Sequence, residues 1–387
     1  MPHRAGSYQR AVAAAAVLES GWAERMRVRV LTLTAGLLLA GLDAAAFHEK
    51  GVANCNGCHV THGGESSGVL VGPSADKGLL LAESPSDVCL LCHAQRLGAV
   101  LSRDPLVPPP ETGPGNFVFL LEDNLNDAPG GALRPILGDA AGHNLIAPGH
   151  ALRVDPRYAM APGGTFPSSK LGCTSCHDPH GNASFRMLHG VGPIQGGVAT
   201  FTRPAPNAGG TDVGSGPETA RHHTAYRAGM SDWCGNCHGQ YHQGGSGSAF
   251  KHPVDRALGA EIVRRYDDYA GDAHPTGGVE ALAYLPEVPF EDPASTTTST
   301  SGPGPASRVM CLSCHRAHAT SSPAAGRWDF KVALLSDDGR ASGSYPIPNP
   351  YGGSTQGPLC SKCHETPTGP AKDAPTGLPA DFRPPIR

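Results

Sequence analysis

The chain has 387 residues, and Gly at 51 and Pro at 37 make up about 23% of it, against a usual combined share of roughly 12%. Aromatic residues are only 6% and hydrophobic residues 39%, which excludes long helices, a large sheet and a conventional cytosolic α/β enzyme. A formal net charge of −4 without basic excess excludes nucleic acid as a partner.

From the start of the chain, residues 27–46 are expected to form a secretory signal. Arg27 and Arg29 supply the positive end, Val30 to Leu42 the apolar stretch, and Ala44 and Ala46 the small-residue cleavage pattern. The apolar run is shorter than the roughly 20 residues that a spanning helix needs, so a retained anchor is the competing reading. Met26 stands where such a signal begins, which makes residues 1–25 an over-extended start. Cleavage after Ala46 leaves a mature chain from Phe47 with 25 basic and 31 acidic residues, net −6, exported and without a membrane span.

All twelve cysteines pair as six CxxC units, and each unit is followed directly by histidine: Cys55, Cys58 and His59; Cys89, Cys92 and His93; Cys173, Cys176 and His177; Cys234, Cys237 and His238; Cys311, Cys314 and His315; Cys360, Cys363 and His364. Two thiols at this spacing bond to the two vinyl groups of one haem, and the next histidine reaches the iron from the same side. Disulfides and Cys₄ zinc sites are the alternatives. Neither requires a histidine at that position, and six in six by chance is on the order of 10⁻⁸ for a c-type attachment signature. The expected cofactors are therefore six covalently bound c-type haems. Six large apolar macrocycles also explain how so Gly- and Pro-rich a chain obtains a core. The fold expected is a multihaem cytochrome c, mostly coil with short helices wrapped round a chain of six haems.

The distal ligand decides the chemistry, because a second histidine closes the iron whereas an open position invites catalysis. The mature chain has four methionines and twelve histidines beyond the proximal six, which favours bis-histidine iron. Motifs one, three and five carry another histidine three residues on, at His62, His180 and His318, and motifs two, four and six do not. The alternation suggests three dihaem modules, at about 47–140, 141–250 and 251–364. Candidates upstream of the first-type motifs are His48, His143 and His252, giving six distal ligands. A +3 histidine lies on the proximal side of its own haem, so it is expected to ligate a neighbouring one. His242 is the reserve, and His252 is preferred to His274, each of which precedes Pro. His150, His189, His222 and His223 are expected at the surface.

Elsewhere, Ala257 to Ala270 is the best helix, with Leu258, Ile262, Tyr266 and Tyr269 at helical spacing. Short helical turns are expected to follow most CxxCH units. Stretches 102–116 and 293–307 are read as loops, the Thr/Ser run 296–301 as a bare flexible one, and 365–387 as an extended Pro-rich tail.

The blocks FHEKGVANCNGCHVTH (47–62), GHNLIAPG (142–149), APGGTFPSSKLGCTSCHDPHG (161–181), GMSDWCGNCH (229–238), KHP (251–253), CLSCHRAHA (311–319) and LCSKCH (359–364) resemble, in order, the OmcS-type outer-surface hexahaem cytochromes of metal-reducing bacteria. The resemblance implies head-to-tail homopolymers that form extracellular filaments and carry electrons to minerals, electrodes or partner cells. It implies that His62 binds the iron at His315 of the next protomer, and that His48, His143, His180, His252 and His318 are distal ligands. Other exported or outer-membrane multihaem cytochromes and extracellular acceptors are the expected partners. The tail past the last motif departs from the family, and 94–115 and 185–228 match poorly. The reading is an electron carrier rather than an enzyme, secreted to the extracellular space or outer surface. A monomeric periplasmic or surface shuttle, and a multihaem reductase, are the alternatives.

Overall fold

The computed structural model describes residues 55–59, 80–94, 100–102, 113–121, 125–127, 134–136, 138–211, 218–241, 254, 256–330, 332–338 and 349–364. The signal region, His48, His62, His242, His252 and the tail 365–387 lie outside them. All described residues belong to the unit 54–387.

Among the described residues, regular structure is sparse. The helices are α1 (Pro85–His93), α2 (Cys173–Cys176), α3 (Met230–Cys234) and α4 (Gly259–Asp268). Three antiparallel two-stranded ribbons pair β1 (Leu125–Asp127) with β2 (Arg134–Ile136), β3 (Gly192–Pro193) with β4 (Thr200–Phe201), and β5 (Asn207–Gly209) with β6 (Ala225–Ala228). Single 3₁₀ turns and bends make up most of the rest, as frequent Gly and Pro dictate.

The helix α1 begins where Ser84, in extended backbone, accepts the Asp87 N–H on Oγ at 3.1 Å, with Pro85 in the first turn. Its end carries Cys89, Cys92 and His93. The helix α4 realises the stripe read from sequence, two residues shorter at each end. It is braced by the i,i+4 pairs Glu261–Arg265 and Arg264–Asp268, both at 2.9 Å, and buries Tyr266, whose hydroxyl donates to the Val288 carbonyl.

Among the described residues, helical turns coincide with the CxxCH units themselves; the residues that follow motifs one and six, and 95–99 after motif two, lie outside the described ones. In five motifs the histidine N–H donates to the carbonyl of the first cysteine at 2.7 to 3.0 Å, and in the second motif the same turn lies within α1. The turn is needed inside the motif because it is what puts both sulfurs and the imidazole on one side.

Apolar residues gather in small clusters beneath the motifs. One joins Leu90 of α1 to Phe117–Leu120, Leu145, Leu152 and Ala319. Another joins Tyr266 to Tyr284, Phe290, Trp328, Leu335 and Leu359. Met230 of α3 meets Met310 and Leu312 in a third. The run 296–301 is pinned rather than bare: the Thr297 carbonyl accepts the His223 N–H, and the Thr300 carbonyl accepts the Tyr284 N–H.

Three stretches distant in sequence cross at one point. Gly142 and Ala319 form an antiparallel bridge, His318 N–H donates to the Pro114 carbonyl at 2.7 Å, and Asn116 N–H donates to the Ala319 carbonyl at 2.8 Å.

Candidate functional site

All twelve cysteines are free thiols. Consecutive motifs touch through them. Cys58 is raised by burial and then by the neighbouring Cys92. Cys89 is raised first by its hydrogen bond with Cys173, and Cys234 first by its hydrogen bond with Cys311. Burial and then Cys237 push Cys176 up to about 12, and burial followed by Cys360 and Cys363 does the same to Cys314. Each motif thus lies beside the next in sequence order. Second cysteines face across the first and third links, first cysteines across the second and fourth, and Cys314 turns toward motif six.

The first-cysteine links share a clasp. Ser86 Oγ in α1 accepts the Cys173 N–H at 3.1 Å, and Ser231 Oγ in α3 accepts the Cys311 N–H at 3.0 Å. Each serine sits three residues before the first cysteine of its own motif. On the other side, Ser175 and Ser313 each accept the N–H of the residue just before their motif, Gly172 and Met310.

The proximal imidazoles are held in one tautomer. His177 Nδ1 lies 2.8 Å from the Arg186 carbonyl, His238 Nδ1 2.7 Å from that of Pro162, and His315 Nδ1 2.9 Å from that of Ala324. Each Nδ1–H donates to its carbonyl, which leaves the Nε2 lone pair for a metal. Arg186 and Ala324 both stand nine residues past their histidine, and both adopt left-handed backbone, φ 51° and 58°. That conformation is costly for residues with a Cβ, and it turns the carbonyl toward the ring.

The described distal candidates divide. His143 Nδ1 donates to the Ala317 carbonyl at 2.7 Å, and its ring centre lies 5.9 Å from that of His238. Two imidazoles on one metal need about 6 Å, from about 2 Å per metal–nitrogen contact plus about 1 Å from each nitrogen to its ring centre. Burial and then His143 lower His238 to about 4. His143 is likewise depressed, by burial first. Burial, His177 and His143 lower His318 to about 3, and its ring stacks on Phe117 at 4.4 Å. His143 is thus brought to His238, and His318 lies within electrostatic reach of His177 and His143. His180 stands exposed with Nδ1 3.9 Å from Asp178. The donor set, twelve free thiols and Nδ1-anchored imidazoles, fits c-type haem; no group of three or more His, Cys, Asp or Glu able to hold a metal ion occurs among the described residues.

Two of the histidines expected at the surface are buried. His189 Nε2 bonds the Thr174 carbonyl at 3.0 Å, and both His223 ring nitrogens face carbonyls, those of Thr224 and Ser299. Both rings are thus held by backbone carbonyls, His189 through Nε2 and His223 beside two of them. His222 is half-buried, His274 is exposed, and His150 Nδ1 bonds Asp87 at 3.0 Å.

Sequence reasoning missed the cations. Lys362, within the last motif, is 2% exposed; its Nζ donates to the Tyr269 carbonyl at 2.8 Å and lies 4.5 Å over the Tyr266 ring. Arg327 is buried beside motif five, donating Nε to the Leu312 carbonyl and its backbone N–H to that of Cys314. The buried Lys362 sits inside a motif whose spacing was legible, but nothing in the sequence marks its burial.

No family model matches the chain. The C-type cytochrome OmcS of Geobacter sulfurreducens is 28% identical over 440 aligned positions, spanning 88% of this chain and 98% of the relative. The solved outer membrane cytochrome S filament of Geobacter sulfurreducens superposes with TM-score 0.67 at 26% identity, covering 82% of this chain and 99% of that one. The fold is that of a multihaem cytochrome c. A second structure, of OmcS nanowires from the same organism, gives TM-score 0.67 at 25% identity with the same coverage. No helix among the described residues is long and apolar enough to cross a membrane.

Proposed function

We propose that the chain is an electron-transfer protein that carries six bis-histidine c-type haems and joins head to tail with its own copies into an extracellular filament. The observation that carries this reading is the adjacency of consecutive attachment motifs, with Ser86 beside motif two holding the Cys173 N–H of motif three and Ser231 beside motif four holding the Cys311 N–H of motif five. Likeness to filament structures supports the assembly. A bound c-type haem supplies one-electron iron chemistry. The chain's own residues anchor it through paired cysteines, fix the proximal ring through a carbonyl on Nδ1, and close the far face with a second imidazole.

In this reading His143 shares an iron with His238, and His318 shares one with His177. His62 reaches the iron at His315 of the next copy, and His48, His180 and His252 complete the distal set, with His242 in reserve. External acceptors such as metal oxides, and other exported cytochromes, take the electrons at the outer surface of the cell.

The test is the mass of the mature protein, expected to show six haems, followed by electron microscopy. Long regular filaments are expected. His62→Ala is expected to abolish them while all haems remain attached; unchanged filaments from that variant would overturn the inter-subunit ligand. Only discrete particles from the native chain would overturn the filament.

A further inference from the structure

We propose that the crossing of segments 113–116, 142–143 and 317–320 is a shared support for the distal ligands of two irons, so that the two are held or released together. Gly142 and Gly115 are its positioning residues. The inference rests on the proposed reading of His143 and His318 as distal ligands and adds a coupling between them.

His143 makes two bonds to one short segment. Its Nδ1–H donates to the Ala317 carbonyl at 2.7 Å, and its backbone N–H donates to the His318 carbonyl at 3.0 Å. The residue whose carbonyl holds His143 is thus the other ligand. His318 is held from the opposite side, by its N–H on the Pro114 carbonyl and by its ring on Phe117 at 4.4 Å and 22°. A shift of 317–318 therefore moves both imidazoles.

The closeness depends on two missing side chains. A Cβ on Gly142 would lie 2.2 Å from the His318 carbonyl oxygen and 2.6 Å from Ala319 Cα. A Cβ on Gly115 would lie 2.2 Å from the Ala319 carbonyl oxygen, and Gly115 also has φ +88°, which disfavours any other residue. The obstructing atoms are backbone, so a methyl group at either position must displace the segment that carries His318 and anchors His143. In the proposed reading the irons concerned are those of motifs three and four, at His177 and His238.

The experiment counts open irons by carbon monoxide binding to the reduced holoprotein, with haem content by mass alongside. His143→Ala and His318→Ala are each expected to open one iron with all haems attached. Gly142→Ala is expected to open two while removing neither ligand. If the histidine variants open none, the ligand reading falls and the coupling with it. If they open one each but Gly142→Ala opens none or one, the coupling alone is overturned. Should Gly142→Ala fail to fold, the unmodified protein supplies the same decision: below the global denaturant transition, two irons are expected to become reactive at one midpoint, and two separate midpoints overturn the proposal.

Discussion

Four imidazoles, those of His143, His177, His238 and His315, spend Nδ1 on a backbone carbonyl, and each carbonyl belongs to a different part of the chain. Histidines at these positions were legible from the motif spacing and the repeat, because the proposed role demands that residue type. Their acceptors at Arg186, Pro162, Ala324 and Ala317 were not, because every residue offers a carbonyl. The same limit hid the structural roles of His189 and His223. Away from the irons, Asp267 shows what burial does to a single charge. Burial, with Glu280 next, raises its carboxyl to about 6, and Lys362 opposes them. The folded pKa lies above the unfolded one, so the contribution to stability is fully present below about pH 4 and is lost as pH rises through about 6. Relative to Asp267→Asn, the native protein is expected to lose about 1 kcal/mol between pH 4 and pH 7. Denaturant unfolding of both proteins at the two pH values measures it; an equal difference at both would refute it.

The working element is a single helical turn, and its supports are hydroxyl groups. Ser84 caps α1 through the Asp87 N–H and also donates to the Asp87 carboxylate at 2.8 Å. Ser84→Ala is expected to cost about 1 kcal/mol with haem content unchanged, read as a fall in melting temperature. Ser86 and Ser231 act between elements, each holding the first cysteine N–H of the next motif. Ser86→Ala and Ser231→Ala are expected to cost about 1 kcal/mol each, and additively, since they support different links. A double variant much worse than the sum in urea unfolding would show that the two clasps are one unit. The α4 helix was legible from its periodicity, and its boundaries moved inward where Gly259, at φ +78°, and Tyr269, in extended backbone, end the helical geometry. The turns at the motifs were expected one step too late, because spacing alone does not say that the histidine N–H must close on the first cysteine.

At the scale of the whole molecule, apolar burial is divided among small clusters, each lying against an attachment motif. A Gly- and Pro-rich chain with so little regular structure lacks the continuous core that would hold it alone. The haem-free chain is accordingly expected to show no cooperative thermal transition and to be degraded by trypsin at a rate that haem attachment suppresses. A cooperative transition in calorimetry without haem would refute this. Composition made the sparse regular structure legible; the adjacency of successive motifs was not, because it rests on contacts between residues as far apart as Cys234 and Cys311.

The series of thiols does not end as it begins. Motif one meets its neighbour through Cys58, whereas at the other end Cys314 faces both cysteines of motif six, Cys360 before Cys363. The two ends of the chain are therefore unlike. Copies that join end to end bring unlike surfaces together, a heterologous contact that extends rather than closing on itself.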